Sequence, residues 1–310
     1  MKAVIAGGSG FLGTALAWAW AEEGHDVRIL TRGIPAGQAQ HEPGTGKPGI
    51  TRVGWRPDGT GATVGQELER ADALINLAGE SIGDGRWTPA RKQALRDSRI
   101  RATQSLADAL AATREPPHTF INASAVGYSG GHGSETLSED AAPGLDFLAR
   151  LCADWEHEAL RATRPGIRVI PLRTGIVLEK TGGALAKMVP PFRCFVGGPL
   201  GSGRQYMSWI HRLDWIELVR FIVETNTIDG PVNATAPNPV TNAHFSHALG
   251  HVLHRPSLMH APGFALRMVL GEFADSVLTG QRAIPSCALA LGYHFRYPEI
   301  EIAFRGIFGE

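Results

Sequence analysis

A surplus of charge of one sign is missing from this 310-residue chain: 30 Lys and Arg balance 30 Asp and Glu, so its formal net charge is zero. Without a basic surplus there is no electrostatic case for nucleic-acid or anionic-membrane binding. Cysteine is scarce as well. Cys152, Cys194 and Cys287 are widely spaced and odd in number, which argues against a disulfide scaffold and against a clustered zinc site. A reducing cytoplasm is therefore the expected setting. No stretch reaches the ~18 consecutive apolar residues of a membrane span. The apolar opening is interrupted by Gly7, Gly8, Gly10 and Gly13, unlike an export signal. What is present is 43% hydrophobic and 19% charged residues, the balance of a globular chain. The 38 Gly and 20 Pro provide for many tight turns. The length allows two domains of about 150 residues or one extended one.

Lys2 to Ala6 is a short apolar run ending in glycine and reads as a buried strand. Phe11, Leu12, Ala15, Leu16, Ala19 and Trp20 follow at three-and-four spacing, a helix that Gly24 closes. The alternation continues with strands over 26–30, 73–77, 119–123 and 168–172 and helices over 89–112 and 145–163. It predicts an α/β fold of the doubly wound Rossmann type, a parallel sheet with helices on both faces. Residues 33–49, rich in Gly and Pro, read as a long surface loop. Beyond Gly175 the alternation weakens, a Gly/Pro-dense segment runs over 190–203, and a helix over 213–225 and a strand over 232–234 follow. The expected division is a dinucleotide-binding domain over 1–235, with substrate-side insertions over 176–214, and a small, mainly helical domain over 241–310 opened by Thr241 as a helix cap.

Gly7-Gly8-Ser9-Gly10-Phe11-Leu12-Gly13 matches Gly-x-x-Gly-x-x-Gly between the first strand and the first helix. Glycines let the backbone turn sharply and approach a pyrophosphate, while the helix N-terminus offers unpaired amides to its charge. An ordinary turn would also carry glycines, but the strand–turn–helix context favours a dinucleotide. The second strand ends in Thr31-Arg32, where an NAD-preferring site usually carries Asp or Glu for the ribose 2′-hydroxyl. No carboxylate stands there, and Arg32 can pair with a 2′-phosphate, which favours NADP(H) over the alternative of an exposed loop arginine.

Several further motifs carry a family resemblance: Asn76-Leu77-Ala78-Gly79-Glu80, Ser98-Arg99 with Thr103, Ser124-Ala125-Val126-Gly127-Tyr128, Trp155-Glu156, 172–175, 201–214, and Gly280-Gln281-Arg282 with Pro285. With the glycine turn they span nearly the whole chain. The chain resembles an atypical extended short-chain dehydrogenase/reductase of the NAD-dependent epimerase/dehydratase type, with a small C-terminal domain of its own. The resemblance implies that Leu77, Ala78, Gly79 and Arg99 join the glycine turn at the cofactor, and that Ser124 stands beside a substrate carbonyl. A serine there is equally a cap or a turn residue.

Enzymes of that superfamily use Tyr-x-x-x-Lys. None of the four tyrosines here (Tyr128, Tyr206, Tyr293, Tyr297) has Lys four residues later. Taking Glu156 as a landmark puts Leu148 at the tyrosine position and Cys152 at the lysine position, and neither can do that chemistry. Tyr128, four residues past Ser124 at a strand's carboxyl end, becomes the candidate acid or base, against the alternative of a half-buried structural tyrosine. Glu80 is a second candidate, or a cap. Arg86, beside Trp87, is a substrate-pocket candidate on family likeness. Arg204 is another, suited to an anionic group, although a surface arginine accounts for it as well.

His244, His247, His251 and His254 share the polar face of one helix with no acidic or cysteine partner near in sequence, so no metal is expected. Arg91, Lys92, Arg96, Arg99 and Arg101 read mostly as a solvated helix face. Two classes of function remain. One is an NADP(H)-dependent oxidoreductase or epimerase-like enzyme for a small carbonyl, alcohol or nucleotide-sugar-like substrate; the other is an NADP(H)-binding sensor or scaffold without turnover. A small-molecule substrate is the expected partner, with no nucleic acid and no membrane, and the oligomeric state is open.

Overall fold

The computed structural model describes residues 1–42, 49–61 and 64–309. The strands are β1 (Lys2–Ala6), β2 (Asp26–Thr31), β3 (Ala39–Glu42), β4 (Ile50–Gly54), β5 (Ala73–Asn76), β6 (Thr119–Ala125) and β7 (Thr136–Leu137). After them come β8 (Arg168–Thr174), β9 (Ile176–Leu178), β10 (Tyr206–Met207), β11 (Trp209–His211), β12 (Val232–Ala234), β13 (Val240–Thr241) and β14 (Arg282–Ala283). The helices are α1 (Phe11–Glu22), α2 (Gly65–Leu68), α3 (Pro89–Ala112), α4 (Phe147–Leu160), α5 (Gly183–Arg193) and α6 (Arg212–Glu224). The C-terminal ones are α7 (Asn242–Val252), α8 (Gly263–Leu270), α9 (Phe273–Leu278), α10 (Ser286–Ala290) and α11 (Ile300–Phe308).

Among the described residues eight strands form the central sheet, in the order β12-β8-β6-β5-β1-β2-β4-β3. All neighbours are parallel except β3 on β4. The fold is thus the Rossmann-type α/β architecture that the alternation implies. The chain winds outward from β1 through β2 and β4, then returns to β5 and winds the other way. That reversal opens a crevice at the carboxyl ends of β1 and β5, the place where such sheets hold ligands. Two apolar layers hold it. Leu16, Ala17 and Trp20 of α1 pack with Ile5, Ile29 and the α6 residues Trp215 and Leu218 on one face. Leu106 and Leu110 of α3 pack with Val4, Leu74 and Phe120 on the other. No helix among the described residues is long and apolar enough to cross a membrane.

The predicted surface loop over 33–49 needs correction. Residues 43–48 lie outside the described residues, but 39–42 form β3, an antiparallel edge strand on β4. Ala39, Gln40 and His41 are all exposed, so no apolar alternation announces the strand. The Gly/Pro-dense segment over 190–203 begins inside a helix: α5 runs through Pro190 and Pro191, and Leu185, Val189 and Phe192 bury one helical face. The C-terminal region packs closely on what precedes it. β14 pairs with β7 and Tyr293 packs on Phe221 of α6, while within the region Phe304 of α11 meets Phe245 of α7 edge-on at 5.1 Å.

Candidate functional site

The glycine turn works by backbone approach. Gly7 has φ +76°, and a Cβ on it would lie 2.6 Å from the Leu77 carbonyl carbon and 2.8 Å from the Ala78 nitrogen. A Cβ on Gly13 would stand 2.4 Å from the Gly7 oxygen, so α1 can sit tightly on β1 only with glycine there. The Gly10 amide donates to the Gly7 oxygen at 3.0 Å, and no side chain caps α1. The following amides at this helix start are left for a ligand.

Opposite the turn lies the strand end of β5. Asn76 is fully buried; its amide nitrogen donates to the Asn122 oxygen at 2.7 Å and to the Thr103 hydroxyl at 2.9 Å, while its oxygen accepts from the Ala78 amide. Trp155 donates to the same Thr103 hydroxyl at 2.8 Å. Three elements are thereby locked behind the segment 77–79.

The result is a cleft of about 290 Å³ that brings together Gly7, Ser9, Thr31, Arg32, Ala78, Gly79 and Glu80. It also takes in Trp55, Pro57, Ser98 and Arg101, which sequence reasoning did not single out for it. Trp55 follows β4, whose short run was not read as a strand, and Ser98 and Arg101 share one face of α3 three residues apart. The other residues expected at the cofactor sit around the cleft. Gly10, Leu12 and Gly13 belong to the turn and first helix behind it, and Leu77 packs toward the core. Phe11 packs against the 182–183 turn, where a Cβ on Gly182 would lie 2.5 Å from its ring. Arg99 is buried beneath the cleft: it donates to the Glu80 carbonyl at 2.9 Å and the Leu95 carbonyl at 3.0 Å, with Trp155 at 5.1 Å. Burial lowers its guanidinium to about 10, so it is not part of a solvated helix face. The others of that series are paired instead, Arg91 with Glu80, Lys92 with Glu272, Arg96 with Asp154 and Arg101 with Asp97.

Beyond β6 the site is built from side chains. Leu148, Cys152 and Glu156 recur every fourth residue and so share one face of α4, turned toward β6 and the single helical turn over 126–129. Ser124, 5% exposed, donates to Glu156 at 2.5 Å. Glu156 forms a two-pronged ion pair with Arg173 at 2.9 Å on both sides, and Arg173 also donates to the Glu139 carbonyl at 2.8 Å. The Arg173 guanidinium lies 3.5 Å from the centre of the Tyr128 ring. Burial pushes the Cys152 thiol up to about 11, so it carries no charge near neutral pH. The Tyr128 side chain is half-buried at the carboxyl end of β6.

Arg86 is exposed and donates to the carbonyls of Met268 and Val269, closing the carboxyl end of α8. Beside it, Trp87 is buried against Phe147 and Phe273. Arg204 is exposed on the 200–205 loop, its backbone amide donating to Ser202. The histidine-rich face is not without acidic company, since His244 meets Glu301 of α11 at 2.6 Å. No cluster of three metal-binding side chains occurs among the described residues.

The model of the NAD dependent epimerase/dehydratase family matches residues 3–234, and that of a domain of unknown function, DUF1731, matches residues 261–307. An epimerase family protein of Mycobacterium leprae is 41% identical over 297 residues, covering 96% of this chain and 92% of that relative. The crystal structure of the human epimerase family protein SDR39U1 (isoform2) with NADPH superposes with a TM-score of 0.88 at 32% identity, both chains covered in full. A UDP-glucuronic acid 4-epimerase from Bacillus cereus, at 16% identity and a TM-score of 0.76 over 100% of this chain and 98% of its own, shares the fold alone.

Proposed function

The chain belongs to the NAD dependent epimerase/dehydratase family, and from that premise we propose that it binds NADP(H) in the cleft at β1, β2 and β5 and works as an oxidoreductase or epimerase-like enzyme on a small carbonyl or alcohol. One observation carries the cofactor reading. The cleft joins the glycine turn and the uncapped start of α1 to the end of β2, where Arg32 offers its guanidinium, with Arg101, paired to Asp97, facing the same space. The helix start suits a pyrophosphate, and the arginines suit a 2′-phosphate. Bound there, the nicotinamide would supply or take a hydride. The human relative solved with NADPH supports the same choice.

For the proton, Tyr128 is the residue of choice, since it stands at the carboxyl end of β6 with a guanidinium against its ring. Ser124 already donates its proton to Glu156, so it serves a substrate only as an acceptor. That closed network favours a second reading, NADP(H) binding without turnover.

Oxidation of NADPH by a panel of carbonyl compounds separates the two. Turnover that falls about a hundredfold in Tyr128→Phe, with cofactor affinity kept, supports the enzyme; no turnover across the panel leaves the binding protein. Arg32→Ala should weaken NADPH about tenfold and NADH less than twofold, as expected for one charge-assisted contact. Equal losses would defeat the NADP(H) assignment.

A further inference from the structure

A second cavity, of about 310 Å³, lies away from the dinucleotide cleft. Its walls are Met188 and Phe192 of α5, Phe245 and Leu249 of α7, Leu266 of α8 and the 196–200 loop. Two glycines close it by backbone contact: a Cβ on Gly197 would lie 2.3 Å from the Phe192 ring, and one on Gly198 would lie 2.2 Å from the Met259 oxygen.

Three polar side chains reach this lining. Asn242 is already engaged, accepting from the Leu200 amide at 2.7 Å and donating to the Met207 sulfur at 3.2 Å. Lys187 is at the rim, its charge met by Asp84 at 2.7 Å, and it donates to the Gly83 carbonyl at 3.3 Å. Ser246 is 4% exposed, and among the described residues no hydrogen-bond partner meets its hydroxyl.

We propose that this cavity binds an uncharged apolar molecule, a chain or ring system of about ten carbons carrying one carbonyl or hydroxyl oxygen that pairs with Ser246. Size, charge and the lone hydroxyl each point that way. The volume is roughly twice the ~150 Å³ that accommodates benzene in an engineered core cavity. A phosphate or carboxylate would need an unpaired cation to offset its lost hydration, and among the described residues the lining cation, Lys187, is paired with Asp84. The Ser246 hydroxyl opens onto this apolar lining, where a ligand oxygen gives it a hydrogen bond. Lys187 grips the loop 80–87 from this side, while Glu80 at its start lines the dinucleotide cleft, so the two sites share one loop. The assignment is of a binding site and does not rest on the NADP(H) reading above.

The test uses the full chain and the uncharged dye N-phenyl-1-naphthylamine, with decan-2-one as competitor. The dye should brighten on binding and be displaced by decan-2-one. Leu266→Trp and Met188→Trp, which fill the cavity from two walls, should each weaken the dye about tenfold or more while NADPH affinity, read by nicotinamide fluorescence, is kept. Ser246→Ala should weaken decan-2-one about fivefold and leave the dye unchanged, the effect of one neutral hydrogen bond. No dye binding, equal binding in both Trp variants, or displacement by UDP-glucose at lower concentration than by decan-2-one would overturn the site. Dye binding in a protein without NADPH affinity would overturn the proposed function and leave the cavity assignment standing.

Discussion

At the carboxyl edge of the sheet, the dinucleotide cleft is shaped largely by backbone, whereas the ground beyond β6 is shaped by side chains drawn from distant segments. On the cleft side Gly7 and Gly13 admit neighbouring chain at distances that a Cβ would forbid. On the other side Ser124, Glu156 and Arg173 come from β6, α4 and β8 and satisfy one another in near-complete burial. Glu139 extends the arrangement, its carboxylate accepting from the amides of Asn233 and Cys287 and so tying β12 and α10 to the same centre. The first side is an opening prepared for a ligand. The second is a network whose polar groups are already matched, so its contribution is to fix the shape of the substrate side, and Tyr128 above Arg173 is its one half-exposed outlet.

If that contrast is right, damage to the two sides should separate stability from binding. Glu156→Ala leaves Arg173 buried without its counter-charge, and the expected loss is about 3–5 kcal/mol of folding stability in urea unfolding. NADPH affinity in the fraction that remains folded should change little. A stable Glu156→Ala protein would mean that the network is not structural.

Gly13→Val should do the opposite. Its side chain collides with the Gly7 carbonyl, so the turn must open; the expected loss in NADPH affinity is about a hundredfold, or ~2.7 kcal/mol. Unchanged affinity, measured by fluorescence titration, would remove the turn from the binding site.

The smallest expected effect concerns acid. His211 caps α6 by accepting from the Leu213 amide and stacks on Tyr297 at 3.8 Å; burial lowers its imidazole to about 4. The unfolded chain takes up that proton near pH 6.5 while the folded one does not. The stability tied to neutral His211 is therefore complete above pH ~6.5 and lost as the pH falls toward 4, by roughly 2 kcal/mol after allowing for solvent screening. His211→Asn keeps a capping side chain and should flatten that part of the urea-midpoint profile. An unaltered slope would place the acid sensitivity elsewhere.

Legibility followed the same division. Most strands and helices of the dinucleotide half, β4 excepted, were readable because buried strands are apolar runs and α1 carries a helical stripe; α3, for one, occupies the predicted span 89–112. β3 escaped because an exposed edge strand has no apolar alternation. Trp55 and Arg101 escaped because each reaches the cleft only through the packing of β4 and α3 around it. Arg99 illustrates the limit of reading charge along a helix, since a guanidinium that looks solvated beside Arg96 and Arg101 is the buried prop of the Glu80 carbonyl.

The strand–turn–helix opening, the family to which the motifs point and the absence of a carboxylate at the end of β2 are legible from consecutive residues alone, because local backbone chemistry and short periodicities are written there. That Ser124 is bound to Glu156, that Arg86 closes α8 and that an apolar cavity forms between α5, α7 and α8 emerges with the packing of the chain. Those facts depend on which remote side chains share a volume, and burial, which gives a hydroxyl or a guanidinium its partner, is a property of the packed chain.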